Sequence, residues 1–443
     1  MAGQSDLHPR FLIFWCPEHT RCKEIYRLFK NSADINGGTM KKRIIASILT
    51  VIMLMTMLQT AALAADGEGT EAVASTTPQA AIYLDQQHGA DSNDGLTKES
   101  AVQSIVKANE LAESNHTNDI YLTSFYKITG AEVWDLGGKT IHRYGLGGYM
   151  IELVNASASL TLSNVVIDGA EYTVEATHAA ETDSIIKAAN GGTIVLKSGA
   201  VLQNNKAAQF GSSILANNGV NITMEDGAII RNNTNRNYEL GGGILIGNGS
   251  TFTMNGGEIS GNTANGGGGV AIIGSTMVMN DGTISNNSTY RTSGQGSYGA
   301  GVYVADYANS SGGDTVFTAK PASFEMNGGK ITGNTALDYG GGVLTFPQQG
   351  QKITININNG EISGNQVTEG SGGAFAAFFG VTELNIKGGT LSGNSAQNYG
   401  GGVFLYDATN VTISGGTISE NKASQGGGVY LWLHPRLNRP TVH

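Results

Sequence analysis

The side chains best suited to chemistry or recognition fall into two groups. The first is a set of aromatic residues at a recurrent place behind glycine clusters: Tyr303, Phe375, Phe404, Tyr406, Tyr430 and Trp432. Rings displayed in a row stack on the apolar faces of sugars or bury against a partner. The second group lies where the sequence is locally enlarged and holds Arg291, Asp306, Asp314 and Lys320. A β-eliminating reaction on an acidic sugar needs a base and a cation, and this stretch contains both types. Its spacing fixes no geometry, so a solvated loop is the plainer reading. Asp91 to Gly95 offers oxygen ligands of the kind calcium takes, but lacks the remaining ligands of a known loop and reads as a turn. His88, His116, His142 and His178 show no ligand spacing. No metal site and no cofactor is indicated.

Strands must position these rings. Each glycine cluster is followed by a small or β-branched residue: Ile214, Ile244, Val270, Val302, Val343, Ala374, Val403 and Val429. Successive side chains of a strand point to opposite faces. If this set faces a core, the next residues face out, among them Tyr303, Phe375, Phe404 and Tyr430, with Phe346, Tyr406 and Trp432 two places later. A covering loop, or the opposite phase, would hide them instead.

The strands belong to a repeat. An aliphatic residue recurs at Val201, Ile229, Ile259, Ile284, Ile331, Ile362, Leu391 and Ile418. Three residues after each stands asparagine: Asn204, Asn232, Asn262, Asn287, Asn334, Asn365, Asn394 and Asn421. Periods of this kind signal a solenoid or a similar array. Each repeat holds three short apolar pieces divided by glycine or asparagine, too little for a sheet with its own core. Wound into coils, each strand can pair with its equivalent in the next. Asparagine tolerates the left-handed conformation of a sharp bend, and stacked amides can bond in a ladder. The expectation is an all-β parallel β-helix of about ten coils over residues 120–432, three short strands per coil, rising ~4.8 Å at each. A strand at Ile82–Leu84 and a helix over Ala101–Glu113, with Ser100 and Gln103 as a capping box, would cover the first coil within residues 81–119.

Composition agrees. Glycine supplies 64 residues and proline 7, and charged residues are only 14%. The net charge of −10 argues against nucleic acid as a partner. Lys41-Lys42-Arg43, the apolar Ile44–Leu58 and the small Ala62-Leu63-Ala64 form a signal peptide over 40–65, which leaves no membrane span after cleavage. Met40 is then the expected start, residues 1–39 upstream translation and 66–80 a linker. Removing 1–64 takes away both cysteines and leaves a net charge of −14. An exported chain without cysteine holds itself by packing and backbone pairing. Leu433 to His443 breaks the pattern and reads as a truncated end.

The opening Ile82-Tyr83-Leu84-Asp85, Asn93-Asp94-Gly95 and Ala101–Ala112 resemble the entry segment of the pectate-lyase-like superfamily. The Gly-Gly-x-Ile-x-x-Asn repeats are similar to polymorphic outer membrane protein and bacterial surface adhesin repeats. That resemblance implies a right-handed parallel β-helix. It also implies a secreted or cell-surface role in adhesion or glycan contact without catalysis, toward a polysaccharide or a host or cell-surface glycoprotein. The alternatives are a polysaccharide lyase or glycoside hydrolase, and a passive spacer for a C-terminal module.

Overall fold

Short alternating segments separated by turn residues pair only with their own repeats, and the protein is accordingly a parallel β-solenoid. The computed structural model describes residues 81–172, 183–208, 210–235, 240–291, 296–308, 316–378, 380–432 and 441–442. The expected signal peptide, the linker and residues 433–440 lie outside these. Among the described residues the strands form sheets of 21, 7 and 11 members, and the registered pairs are parallel. About nine full turns result, close to the ten expected.

The 21-stranded sheet carries two strand columns. One, exemplified by Thr251–Met254, stacks Ile222, Phe252, Met277, Phe324, Ile355, Leu384 and Val411 in register, all facing the core. The other, exemplified by Glu258–Ser260, stacks Leu202, Ile230, Ile259, Ile284, Ile331, Ile362 and Leu391. The 11-stranded sheet runs from Tyr126–Ile128 to Val429–Trp432 and holds the strands behind the glycine clusters. The 7-stranded sheet consists of two-residue strands such as Thr263–Ala264. It was not expected from the sequence, although the small residue two places after asparagine in Ala264, Ala336 and Ala396 marks it.

The asparagine column does two jobs with two adjacent residues. Asn204, Asn232, Asn286 and Glu420 adopt positive φ, as do Gly261, Gly333, Gly364 and Gly393 at the same place in other coils. The next residue turns inward and builds the ladder: Asn205, Asn233, Asn262, Asn287, Asn334, Asn365, Asn394 and Asn421. Asn204 and Asn232 are thus bend residues, and the ladder starts one position later in those two coils. In the middle of the ladder, Asn287 donates its backbone N–H and its Nδ2 to Asn334 Oδ1 at 2.9 and 3.0 Å. Its Nδ2 also donates to Ile259 O at 3.0 Å. Seven of the eight ladder residues, Asn205 to Asn394, are fully buried at 0% exposure, and they pass the pattern on without a break.

The glycine clusters let coils approach closely. A Cβ on Gly242 would sit 2.3 Å from Gly268 O and 2.8 Å from the Thr263 backbone. Both obstacles are main chain in the next coil, so neither can swing aside. Gly242→Ala should therefore cost roughly 3 kcal/mol. Gly130→Ala, with no atom within 4 Å of the added Cβ, should be nearly neutral. Urea unfolding of the two variants checks this, and equal stability would contradict the close approach.

Helix α1 (Ile105–Ser114) covers the first coil with Ile105, Ala108 and Ala112. It begins later than expected. Ser104 is the N-cap, its Oγ accepting from Lys107 N at 3.1 Å. Ser100 instead donates to Asp94, Gln103 N donates to Asp91, and Val102 joins the sheet beside Leu84. The capping box does not form because the chain is still extended there.

Candidate functional site

The outer face of the 11-stranded sheet carries a second apolar layer, separate from the solenoid core. Leu215, Leu245, Ala271, Tyr303, Leu344, Ala376 and Phe404 form its floor. The expected phase therefore holds, with one exception. Phe375 pairs with Val343 and Val403, faces the solenoid core and is 1% exposed. The strand begins one residue later than the sequence reading placed it. Ala374 fills the third small position of the glycine cluster, its backbone bonding Gly401 and Gly402.

The floor is covered. Tyr303 is 2% and Phe404 is 4% exposed. Two files of rings flank and shield them. On one side stand Tyr298, Tyr339 and Tyr399, each directly before a cluster glycine. On the other stand Phe346, Phe378, Tyr406 and Trp432. Tyr298 stacks on Tyr303 at 6.3 Å, Tyr339 on Phe404 at 6.4 Å, and Tyr399 on Tyr430 at 4.6 Å. Tyr406 stacks on Trp432 at 6.0 Å. The rings thus form one continuous aromatic band over successive coils. Tyr298, Tyr339, Phe346, Tyr399, Tyr406 and Tyr430 are half-buried, and Trp432 is 40% exposed. Sequence reasoning passed over Tyr339, Tyr399 and Phe378. The repeated Tyr-Gly pair at 298, 339 and 399 was the available signal.

Toward the N-terminal coils the band is sealed. The enlarged stretch folds back, Phe317 packing edge-on against Phe210 at 5.1 Å. Thr318 N and Lys320 Nζ bond the side chain and carbonyl of Asn248 at 2.8 and 3.1 Å. A cover therefore exists over Leu215 and Leu245, and the half-exposed rings lie in the later coils.

The enlarged stretch does not gather its charged residues into one place. Asp306 is fully buried, and its carboxylate accepts from the backbone N–H of Gln348, Gln349 and Gln351 at 2.6 to 2.9 Å. It anchors the loop that leaves Phe346. Lys320 is spent on Asn248, and Asp314 lies outside the described residues. Arg291 pairs with Asp338, and with Glu369 at 2.9 Å. Asp338 also accepts from Ser297 N at 2.9 Å. Desolvation and the nearby Asp338 charge disfavour ionisation of Tyr298 and Tyr339, so both keep their phenolic protons. Burial pushes Tyr303 up further still. Asp91 and Asp94 serve the turn, accepting from Ser104 N and Ser100 Oγ. Among the described residues no group of three or more His, Cys, Asp or Glu side chains is placed to hold a metal ion.

What the geometry offers is a row of ring faces and edges with phenolic hydroxyls and a polar rim, a surface for contact. Comparison with known protein families, with curated proteins and with solved structures finds no match.

Proposed function

We propose that this protein is an exported β-helix that holds glycans on the aromatic band of its 11-stranded sheet without transforming them. One observation carries the reading: half-exposed aromatic rings stack in two files over the later coils, on a backbone fixed by the amide ladder. Rigid, amphipathic rings give large contact area at little entropic cost, and sugar C–H faces and hydroxyls match their faces and edges. The engagement of Asp306 by three backbone donors and of Arg291 by two carboxylates supports contact over catalysis. Export is supported by the segment Lys41 to Ala64. Kinship with pectate-lyase-like and surface-adhesin repeats is supported by the entry segment and the Gly-Gly-x-Ile-x-x-Asn pattern.

The test is retention on immobilised polysaccharides by the full chain and by a Tyr399→Ala, Tyr406→Ala, Trp432→Ala variant. These side chains lie at the surface of the band, so circular dichroism should be unchanged. At ~1 kcal/mol per ring, the triple change should weaken retention by about a hundredfold. Equal retention by the variant would refute the site. Release of new reducing or unsaturated ends would instead establish the lyase or hydrolase alternative.

A further inference from the structure

We infer that the aromatic band takes uncharged glycans and turns away polyuronates. The inference rests on the glycan reading above and adds the substrate class. Segments 338–339, 398–399 and 406–407 run into Tyr339, Tyr399 and Tyr406, and segment 369–371 takes the same place in the intervening coil, where Ser371 pairs with Tyr339. They carry Asp338, Glu369 and Asp407, and no lysine or arginine. Among the described residues, the cation that pairs with them is Arg291, and two carboxylates hold it. That cluster keeps one net negative charge, with Asp407 beyond it and a chain charge of −10 around it.

A polyuronate carries a carboxylate on each sugar, so several would lie within one screening length, ~8–10 Å, of this rim. Each would meet repulsion, and the guanidinium that could pair with them is already engaged. A neutral polymer loses nothing at the same rim. Its hydroxyls can donate to Asp338 and Glu369, or accept from the phenols of Tyr298, Tyr339 and Tyr399. This departs from the acidic polymers that the lyase resemblance would imply.

The test is affinity electrophoresis of the full chain through gels containing hydroxyethylcellulose, glucomannan, polygalacturonate or alginate. Runs at about 20 mM and about 500 mM NaCl separate screened from unscreened repulsion. The expected result is retardation by at least one neutral polymer. Association with either polyuronate should be at least ~10-fold weaker at low salt. Asp338→Asn with Glu369→Gln frees Arg291 and should increase polyuronate retardation at low salt, an increase that high salt removes. Glu369→Lys, at a 54% exposed side chain, provides the same charge change without touching the buried contact to Ser297. Wild-type retardation by polyuronates equal to or stronger than by neutral polymers would overturn the inference and leave the glycan reading standing. Retardation by none of the four would overturn both.

Discussion

Replacing Asn334 by leucine is expected to remove about 4–6 kcal/mol of stability, a large share of the 5–15 kcal/mol typical of a folded domain. The side chain is fully buried. Its Oδ1 accepts from Asn287 N and Nδ2, and its Nδ2 donates to Ile284 O at 3.0 Å and Asn365 Oδ1 at 2.9 Å. Leucine leaves the Asn287 amide hydrogens and the Ile284 carbonyl unmet in a site water does not reach, at ~1–3 kcal/mol each. Aspartate separates the electrostatic part of this cost. It keeps the acceptor but turns a carboxylate toward Ile284 O and Asn365 Oδ1. Desolvation and those oxygens disfavour the carboxylate and must raise its folded-state pKa above the unfolded value of ~3.9. The folded state then binds more protons than the unfolded one, so stability falls as pH rises from that value through the raised one. Below it both states are protonated and the penalty is smallest. Urea unfolding should therefore show Asn334→Asp closer to wild type at about pH 4 than at about pH 7. A penalty independent of pH would mean that the ladder seat is not desolvated. Asn327 supplies the control. It bonds Asn280 and Asn358 in an outer, exposed amide row, and its replacement by leucine should change stability by less than ~0.5 kcal/mol.

The difference between these two amide rows also shows what was legible in the sequence. Period-two alternation and the return of the same residue types located the strands, their parallel pairing and the coil number, because each depends on local pattern alone. The ladder slipped by one residue at Asn204 and Asn232 because both the aliphatic residue and asparagine stand twice in succession there, and the count started from Val201 and Ile229 rather than from the core-facing Leu202 and Ile230. Only the second of each pair faces inward, while the first takes the left-handed bend that glycine takes in other coils. Phe375 was assigned to the wrong face for a similar reason. Counting from the last cluster glycine, Gly373, starts the strand at Ala374. Counting from the positive-φ glycine, Gly372, which corresponds to Gly340 and Gly400, starts it at Phe375. Outward aromatic phase was readable for Tyr303, Phe404, Tyr406, Tyr430 and Trp432. Their cover was not, because it comes from residues outside the strands and from a loop that reaches back 70 residues to Asn248. Strand periodicity is blind to such contacts.

Arg143 should be the second position of large effect. Its backbone belongs to a strand of the broad sheet, yet its side chain turns inward and is 0% exposed. The guanidinium donates to Leu146 O, Gly148 O, Gly169 O and Asp183 O at 2.6 to 3.3 Å, and to Asn205 Oδ1 at 3.2 Å. That last oxygen is the one which, in every later coil of the ladder, accepts from the preceding asparagine. Arginine thus stands in for the missing amide where the ladder begins and ties the N-terminal coils to it. Arg143→Met removes these donors, at ~1–3 kcal/mol per buried acceptor left unmet, offset by relief from burying a charge. The net expected loss is roughly 3–4 kcal/mol. Arg143→Lys should recover little, because one ammonium cannot span acceptors arranged for a planar fork. Coils of a solenoid are held mainly by their neighbours. The loss should therefore appear as a split in unfolding, with the coils before Asn205 opening at lower denaturant than the rest. Hydrogen exchange followed by segment would read this as faster exchange confined to the strands around Ile120, Ile141 and Ile167. Uniform acceleration through Asn394 would show that the chain unfolds as one unit, and no acceleration would show that Arg143 does not couple the capped end to the ladder.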